Sequence, residues 1–187
     1  ISPNIIIART DEPLDAHIKE KISLFCNVKP DCVIENLTLP CLYEAPIMLH
    51  KNGLDEVVCR ELGLTTEKPD LTEWENMIQK IYARRNQTVI AIVGKYVKLH
   101  DAYISIIESL NHAGFDVGVN VKIKWVDSED VTEKNVHEIL SDIDGMIIPG
   151  GFGNRGIEGK IIACRYAREN SIPFLGICLG MQIAVIE

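Results

Sequence analysis

The sequence predicts an α/β protein: a mostly parallel sheet with helices on both faces, preceded by a shorter strand-and-helix unit and a helical connector. Three observations predict it. From Thr88 onward, short β-branched or apolar runs alternate with amphipathic helical stretches, the order that builds a parallel sheet through crossover helices. Ahead of that region, residues 4–8 and 11–27 already read as one strand followed by one helix. The 187 residues are 47% apolar and 25% charged, enough for one full core or one and a half small ones, but not for several domains.

The elements follow in order. Residues 4–8 are an isoleucine-rich strand, and 11–27 carry Leu14, Ile18, Ile22 and Phe25 at helical spacing, opened by acidic residues and Pro13. Val33 and Ile34 sit in a short extended piece. Residues 42–49 and 54–62 read as two short helices closed by Gly53 and Gly63, and Pro40 and Pro46 keep the stretch broken. A polar link over 65–70 leads to a helix over 71–85 with Trp74, Met77, Ile78 and Ile81 on one stripe. Beyond it come a strand at 88–93, a helix over 100–113 ended by Gly114, a strand at 119–126 and a helix over 133–140. A strand at 145–148 runs into a glycine-rich turn, followed by a helix over 158–170, a strand at 172–177 and a helix opening at Leu179. In 119–126, Val119, Val121, Ile123 and Trp125 alternate with Asn120, Lys122 and Lys124. One face of that strand is therefore wet, which places it towards a sheet edge.

Charge narrows the partners. Lys and Arg number 19 against 27 Asp and Glu, a formal charge of −8, so no positive field draws a polyanion; this speaks against nucleic-acid and anionic-membrane partners. No run of 18 apolar residues suits a membrane span. The six cysteines form no CxxC pair and none has a histidine at metal-ligand spacing, so no metal site is expected, and a reducing cytoplasm is the expected compartment. The chain opens on the approach to a strand and closes on a helix that has only begun, which leads us to expect an excerpt of a longer polypeptide.

The strongest chemical signal is Gly176-Ile177-Cys178-Leu179-Gly180, where a buried strand meets a helix. This is the nucleophile-elbow pattern with Cys in place of Ser. Small flanking residues are needed because the turn brings neighbouring backbone close and holds the nucleophile in a strained conformation clear of the fold. The new helix directs its free N–H groups at the sulfur, and the Leu179 amide is placed to help hold an oxyanion. The alternative is a buried structural cysteine.

A second signal is Pro149-Gly150-Gly151-Phe152-Gly153-Asn154-Arg155-Gly156, directly after a strand. Such a loop brings backbone amides close to a ligand and supplies another oxyanion donor beside Cys178 if the two strands are neighbours, and it lies where open α/β sheets bind ligands. It lacks the spacing of a dinucleotide or phosphate loop, and a merely tight turn is the alternative. A cysteine that attacks an amide needs a base, yet His17, His50, His100, His112 and His137 all precede Cys178 and read as solvated or packing residues.

Taken together, Val93-Gly94-Lys95-Tyr96, Asp101-Ala102-Tyr103, Pro149-Gly150-Gly151-Phe152-Gly153, Arg155-Gly156-Ile157-Glu158-Gly159-Lys160 and Pro173-Phe174-Leu175-Gly176-Ile177-Cys178-Leu179-Gly180-Met181-Gln182 resemble the CTP synthase family. Lys19-Glu20-Lys21-Ile22, Phe25-Cys26-Asn27-Val28 and the Tyr43 region extend the resemblance over the whole chain. It implies residues 1–45 as the end of an amidoligase (synthetase) domain, 46–86 as a helical linker and 87–187 as the first part of a class I glutamine amidotransferase domain. The implied chemistry is glutamine hydrolysis at a cysteine, with the ammonia used in ATP-dependent amination of UTP to CTP, Mg²⁺ as cofactor and GTP as activator. The implied assembly is a cytoplasmic homotetramer.

Matched by motif, Cys178 is the nucleophile. Gly151 and Leu179 supply oxyanion and glutamine contacts, Gly180, Met181 and Gln182 complete the glutamine side, and Phe152 and Arg155 fall on the GTP-responsive surface. Lys21 matches the lysine that meets UTP or CTP phosphates. Leu37, Thr38 and Leu39 fall at the ATP adenine, where the family usually carries an acidic residue in place of Thr38. The family's amidotransferase His and Glu lie beyond the elbow, and its phosphate loop lies ahead of residue 1. Two other readings remain: a catalytically silent, truncated α/β module that binds glutamine or regulates a partner, and an unrelated elbow hydrolase.

Overall fold

A computed structural model describes residues 2–187, which divide into two compact units with the boundary between residues 79 and 80. In the first unit, β1 (Ile6–Thr10) and β2 (Val33–Leu37) pair in parallel with Ile6 opposite Val33 and Thr10 opposite Leu37. The crossover between them is α1 (Ala16–Cys26). It starts later than the apolar spacing predicts because the Asp15 carboxylate accepts the Ile18 N–H at 2.8 Å and caps the helix there. Cys32, Ile34 and Val57 form the small core of this unit, joined by Ile5, Val28, Leu49 and Leu54 from β1, β2, α2 (Ala45–Lys51) and α3 (Leu54–Leu62) and their flanks. Gly63 closes α3 in the left-handed region at φ 65°, as the sequence predicts, whereas α2 is capped by Asn52 and Gly53, at φ 77°, is the residue from which α3 starts. The connector helix is α4 (Thr72–Ala83), and the division between the units falls inside it.

The second unit holds a four-stranded, all-parallel sheet in the order β4-β3-β5-β6, made of β3 (Asn86–Gly94), β4 (Val119–Asp127), β5 (Gly145–Ile148) and β6 (Phe174–Gly176). Period-two alternation sends successive residues of β3 to opposite faces. Ala91 and Val93 join the larger core, with Met146, Ile148, Leu140, Ala163, Ala167 and Ile183, under α6 (Val136–Leu140), α7 (Ile157–Glu169) and α8 (Leu179–Ile186). Ile92 joins the other core, with Val97, Tyr103, Leu110, Ile123 and Trp125, under α5 (Ile104–Val117). Helices therefore cover both faces, and β4 is an edge strand as its Lys122 and Lys124 predict.

Two expected boundaries are corrected. Helix α5 runs through Gly114 to a left-handed cap at Gly118, φ 75°. Gly114 is a packing position instead: a Cβ there would stand 2.8 Å from the Val119 carbonyl oxygen, so glycine is what lets α5 lie close to the start of β4. Helix α6 begins at Val136 rather than near 133, because Asn135 accepts the Thr132 N–H at 2.8 Å and donates to the Asp130 carbonyl at 2.8 Å, holding 130–135 as turns. Among the described residues no helix is long and apolar enough to cross a membrane.

Candidate active site at the Cys178 elbow

Cys178 stands between β6 and α8 with φ 51° and ψ −102°, and it is one of three non-glycine residues at positive φ among the described residues. Two glycines make the turn possible. A Cβ on Gly176 would lie 2.5 Å from the Gly180 carbonyl carbon, and one on Gly180 would lie 1.9 Å from the Ile148 carbonyl oxygen. The elbow closes on its own backbone, with the Gly180 N–H donating to Ile177 at 2.9 Å and the Gln182 N–H to Cys178 at 3.1 Å. Ile177 donates to Ile148 at 3.0 Å, carrying the β5–β6 pairing up to the residue before the cysteine. Of the six cysteines, Cys178 alone is exposed, so the buried-thiol alternative does not describe it.

The glycine-rich loop leaves β5, and β5 and β6 are neighbours, so the condition set by the sequence is met. A Cβ on Gly150 would sit 3.6 Å from the Cys178 Cβ, and one on Gly151 would sit 3.6 Å from the Leu179 side chain. Leu179 is the first residue of α8, so its N–H has no acceptor inside the helix. The loop and the helix start thus lie beside Cys178 at the ends of two neighbouring strands. Gly180 is buried in the turn, while Met181 and Gln182 are exposed on the first turns of α8.

Two lysines lie under the loop. Lys95 donates from Nζ to the Phe152 and Gly153 carbonyls at 2.8 and 2.6 Å. Lys160 is fully buried, and its Nζ has no hydrogen-bond partner. Burial, reinforced by the Lys95 charge, pulls its pKa down to about 8. Neither lysine, nor Tyr103 beside Lys95, receives a role from the sequence; all three stand only as letters of the family motifs, the one signal that could have found them. Phe152 is 91% exposed, and Arg155 pairs with Glu129 at 3.1 Å and donates to the Lys95 carbonyl at 3.3 Å.

The expected nucleotide residues fall in the first unit. Lys21 is exposed on α1, while its neighbour Lys19 pairs with Glu35 at 2.6 Å. Leu37 ends β2, and Thr38 donates its hydroxyl to Asp11 Oδ1 at 2.6 Å and its N–H to Thr10 at 2.9 Å. A carboxylate thus stands beside Thr38 although position 38 itself is neutral. Leu39 lines a cavity of about 550 Å³ with Ile47, Met48 and Ile78.

No histidine is bonded to Cys178 among the described residues. His50 pairs with Asp55 at 2.8 Å, His100 stacks on Trp125 at 4.3 Å, His112 lies 5.8 Å from Phe115, and His137 meets the Tyr166 ring edge-on at 5.0 Å. His17 is exposed on α1. Among the described residues no group of three or more His, Cys, Asp or Glu forms a set that could hold a metal ion.

Comparison with known proteins gives these geometries a lineage. The family model for the CTP synthase N-terminus matches residues 1–64, and the model for class-I glutamine amidotransferases matches residues 98–187. CTP synthase of Clostridium acetobutylicum is 56% identical over all 187 residues, and that of Halalkalibacterium halodurans is 54% identical over the same span. In each case the chain spans 35% of the relative's length. The glutaminase domain of Trypanosoma brucei CTPS, solved with bound acivicin, superimposes with a TM-score of 0.50 at 42% identity, covering 53% of this chain and 39% of that one. With an N-terminal synthase match and an amidotransferase match in one polypeptide, and close relatives aligned from its first residue to its last, the chain belongs to the CTP synthase family.

Proposed function

We propose that the protein carrying this chain is a glutamine-hydrolysing CTP synthase, with Cys178 as the nucleophile that releases ammonia. The observation that carries the reading is the strained, exposed Cys178 at the elbow with the Gly151 loop beside it. The Cys178 sulfur attacks the side-chain amide carbon of glutamine, and the carbonyl oxygen takes on negative charge as the C–S bond forms. The Gly151 and Leu179 amides hold that charge. Collapse of the tetrahedral species expels ammonia and leaves a glutamyl thioester, and water then cleaves the C–S bond to give glutamate and the free thiol. A base outside these contacts takes the Cys178 thiol proton as the sulfur attacks and returns it to the leaving amine, in keeping with a family His and Glu that lie beyond the elbow.

In this reading residues 1–45 belong to the amidoligase domain, 46–86 to the linker and 87–187 to the amidotransferase domain. Gly180, Met181 and Gln182 shape the glutamine side, Lys21 meets the UTP or CTP phosphates, and Leu37, Thr38 and Leu39 border ATP, which drives the amination. The exposed Phe152 ring and Arg155 offer a stacking surface and a cation to GTP. UTP, ATP and glutamine are the substrates, and the protein is a cytoplasmic homotetramer. The test is Cys178→Ala at the relatives' full length: CTP formation from glutamine is abolished while formation from free ammonia persists. Loss of both in a folded variant overturns this division of labour. Acivicin, which the T. brucei domain binds, serves as the labelling probe: covalent attachment at Cys178 is expected, and attachment elsewhere counts against the assignment.

A further inference from the structure

The loop that carries Gly151 is held in place from the end of a different strand. Lys95 follows β3 directly, is 5% exposed, and grips the loop through the Phe152 and Gly153 carbonyls. A long, flexible side chain can fix a loop only if its own backbone is fixed. The Tyr103 hydroxyl oxygen fixes it from the core side, accepting the Lys95 N–H at 3.1 Å and the Tyr96 N–H at 3.2 Å, while Arg155 donates to the Lys95 carbonyl at 3.3 Å. Tyr103 is itself 5% exposed, its ring packed in the core with Ile92 and Val97 and 6.3 Å from the Trp125 ring. A Cβ on Gly94 would stand 2.6 Å from the same oxygen, so β3 ends in a residue that leaves room for it.

The hydroxyl is thus a polar group set in an apolar cluster, and it accepts from two amides at the head of the motif that holds the oxyanion loop. We propose that Tyr103 is a positioning residue for glutamine hydrolysis: through Lys95 it sets where the Gly151 amide stands relative to that of Leu179. The proposal rests on the reading of Cys178 as the glutaminase nucleophile. Oxyanion donors act through geometry, and a displacement of about 1 Å is enough to cost on the order of a hundredfold in rate. Tyr103 makes no hydrogen bond to Cys178, so the thiol's own reactivity is separable from its acylation.

The test uses Tyr103→Phe in the protein at the relatives' full length, with iodoacetamide as the probe of the bare thiol. Expected are a fall in kcat for glutamine hydrolysis of about tenfold or more, a KM changed by less than about twofold, and an alkylation rate at Cys178 within about twofold of the parent. Lys95→Met carries the test where Tyr103→Phe does not fold, because it removes the loop contact and leaves the Tyr103 bonds intact; the same kcat loss is expected. The double variant is expected to be no slower than Lys95→Met alone, since both act through one contact. Unchanged kcat in either folded variant, or losses that multiply in the double variant, overturns the proposal. If the parent protein hydrolyses no glutamine, the reading of Cys178 fails instead, which keeps the two outcomes apart.

Discussion

The carbonyl oxygen of Ile148, at the end of β5, occupies the space a side chain on Gly180 would need, with only 1.9 Å between it and a Cβ built there. The elbow is therefore clamped to the centre of the sheet by a contact that only glycine permits. Gly180→Ala is expected to destabilise the second unit by about 1–3 kcal/mol or more, the usual cost of overpacking. Urea unfolding of parent and variant measures it, and an unchanged midpoint would show that the turn relaxes freely.

Strain at Cys178 should be measurable as stability. A non-glycine residue held in a sparsely populated backbone region costs about 1–3 kcal/mol, part of which glycine recovers. Cys178→Gly is expected to unfold at higher denaturant than Cys178→Ala, with both variants inactive towards glutamine. Equal midpoints would mean that φ 51° carries no cost here.

Lys160 predicts a pH dependence. Its folded-state pKa is lowered from 10.5 to about 8 by burial and by the Lys95 charge. Between those values the unfolded chain binds a proton that the native chain does not, so this group makes stability rise with pH from about 8 towards 10.5. Below pH 8 the buried, unpartnered ammonium is a full burden, on the order of 3 kcal/mol. Lys160→Met is expected to be the more stable protein at pH 7 and to lose that part of the alkaline slope. Denaturation at pH 7 and 9.5 decides it, and a variant less stable at pH 7 would show that the ammonium finds a partner.

Thiol labelling should separate the cysteines. Cys178 is exposed, Cys32 and Cys164 are buried, and burial pushes the Cys164 thiol up, with the Glu187 charge adding to it. Iodoacetamide at neutral pH is expected to modify Cys178 first and to leave Cys32 and Cys164 intact until the protein unfolds. Mass spectrometry of a time course reads the order directly.

What the sequence determined by itself is local. Strand and helix periods, the small residues about Cys178, the edge character of β4 and the glycines after β5 can all be read from neighbours along the chain, because φ/ψ preference and burial pattern act over a few residues. Tertiary structure decided what depends on distant backbone meeting. Gly114 reads as a helix stop until β4 is seen against it, and the true stop is Gly118. The adjacency of β5 and β6, which puts Gly151 beside Leu179, is a matter of strand order, and spacing does not encode it. The grip of Lys95 on residues 57 and 58 positions away, and the burial of Lys160 without a counter-ion, arise only when β3, β5 and α7 pack together. Hydrogen bonds and desolvation depend on which atoms share a space, and that is settled by packing of the whole unit.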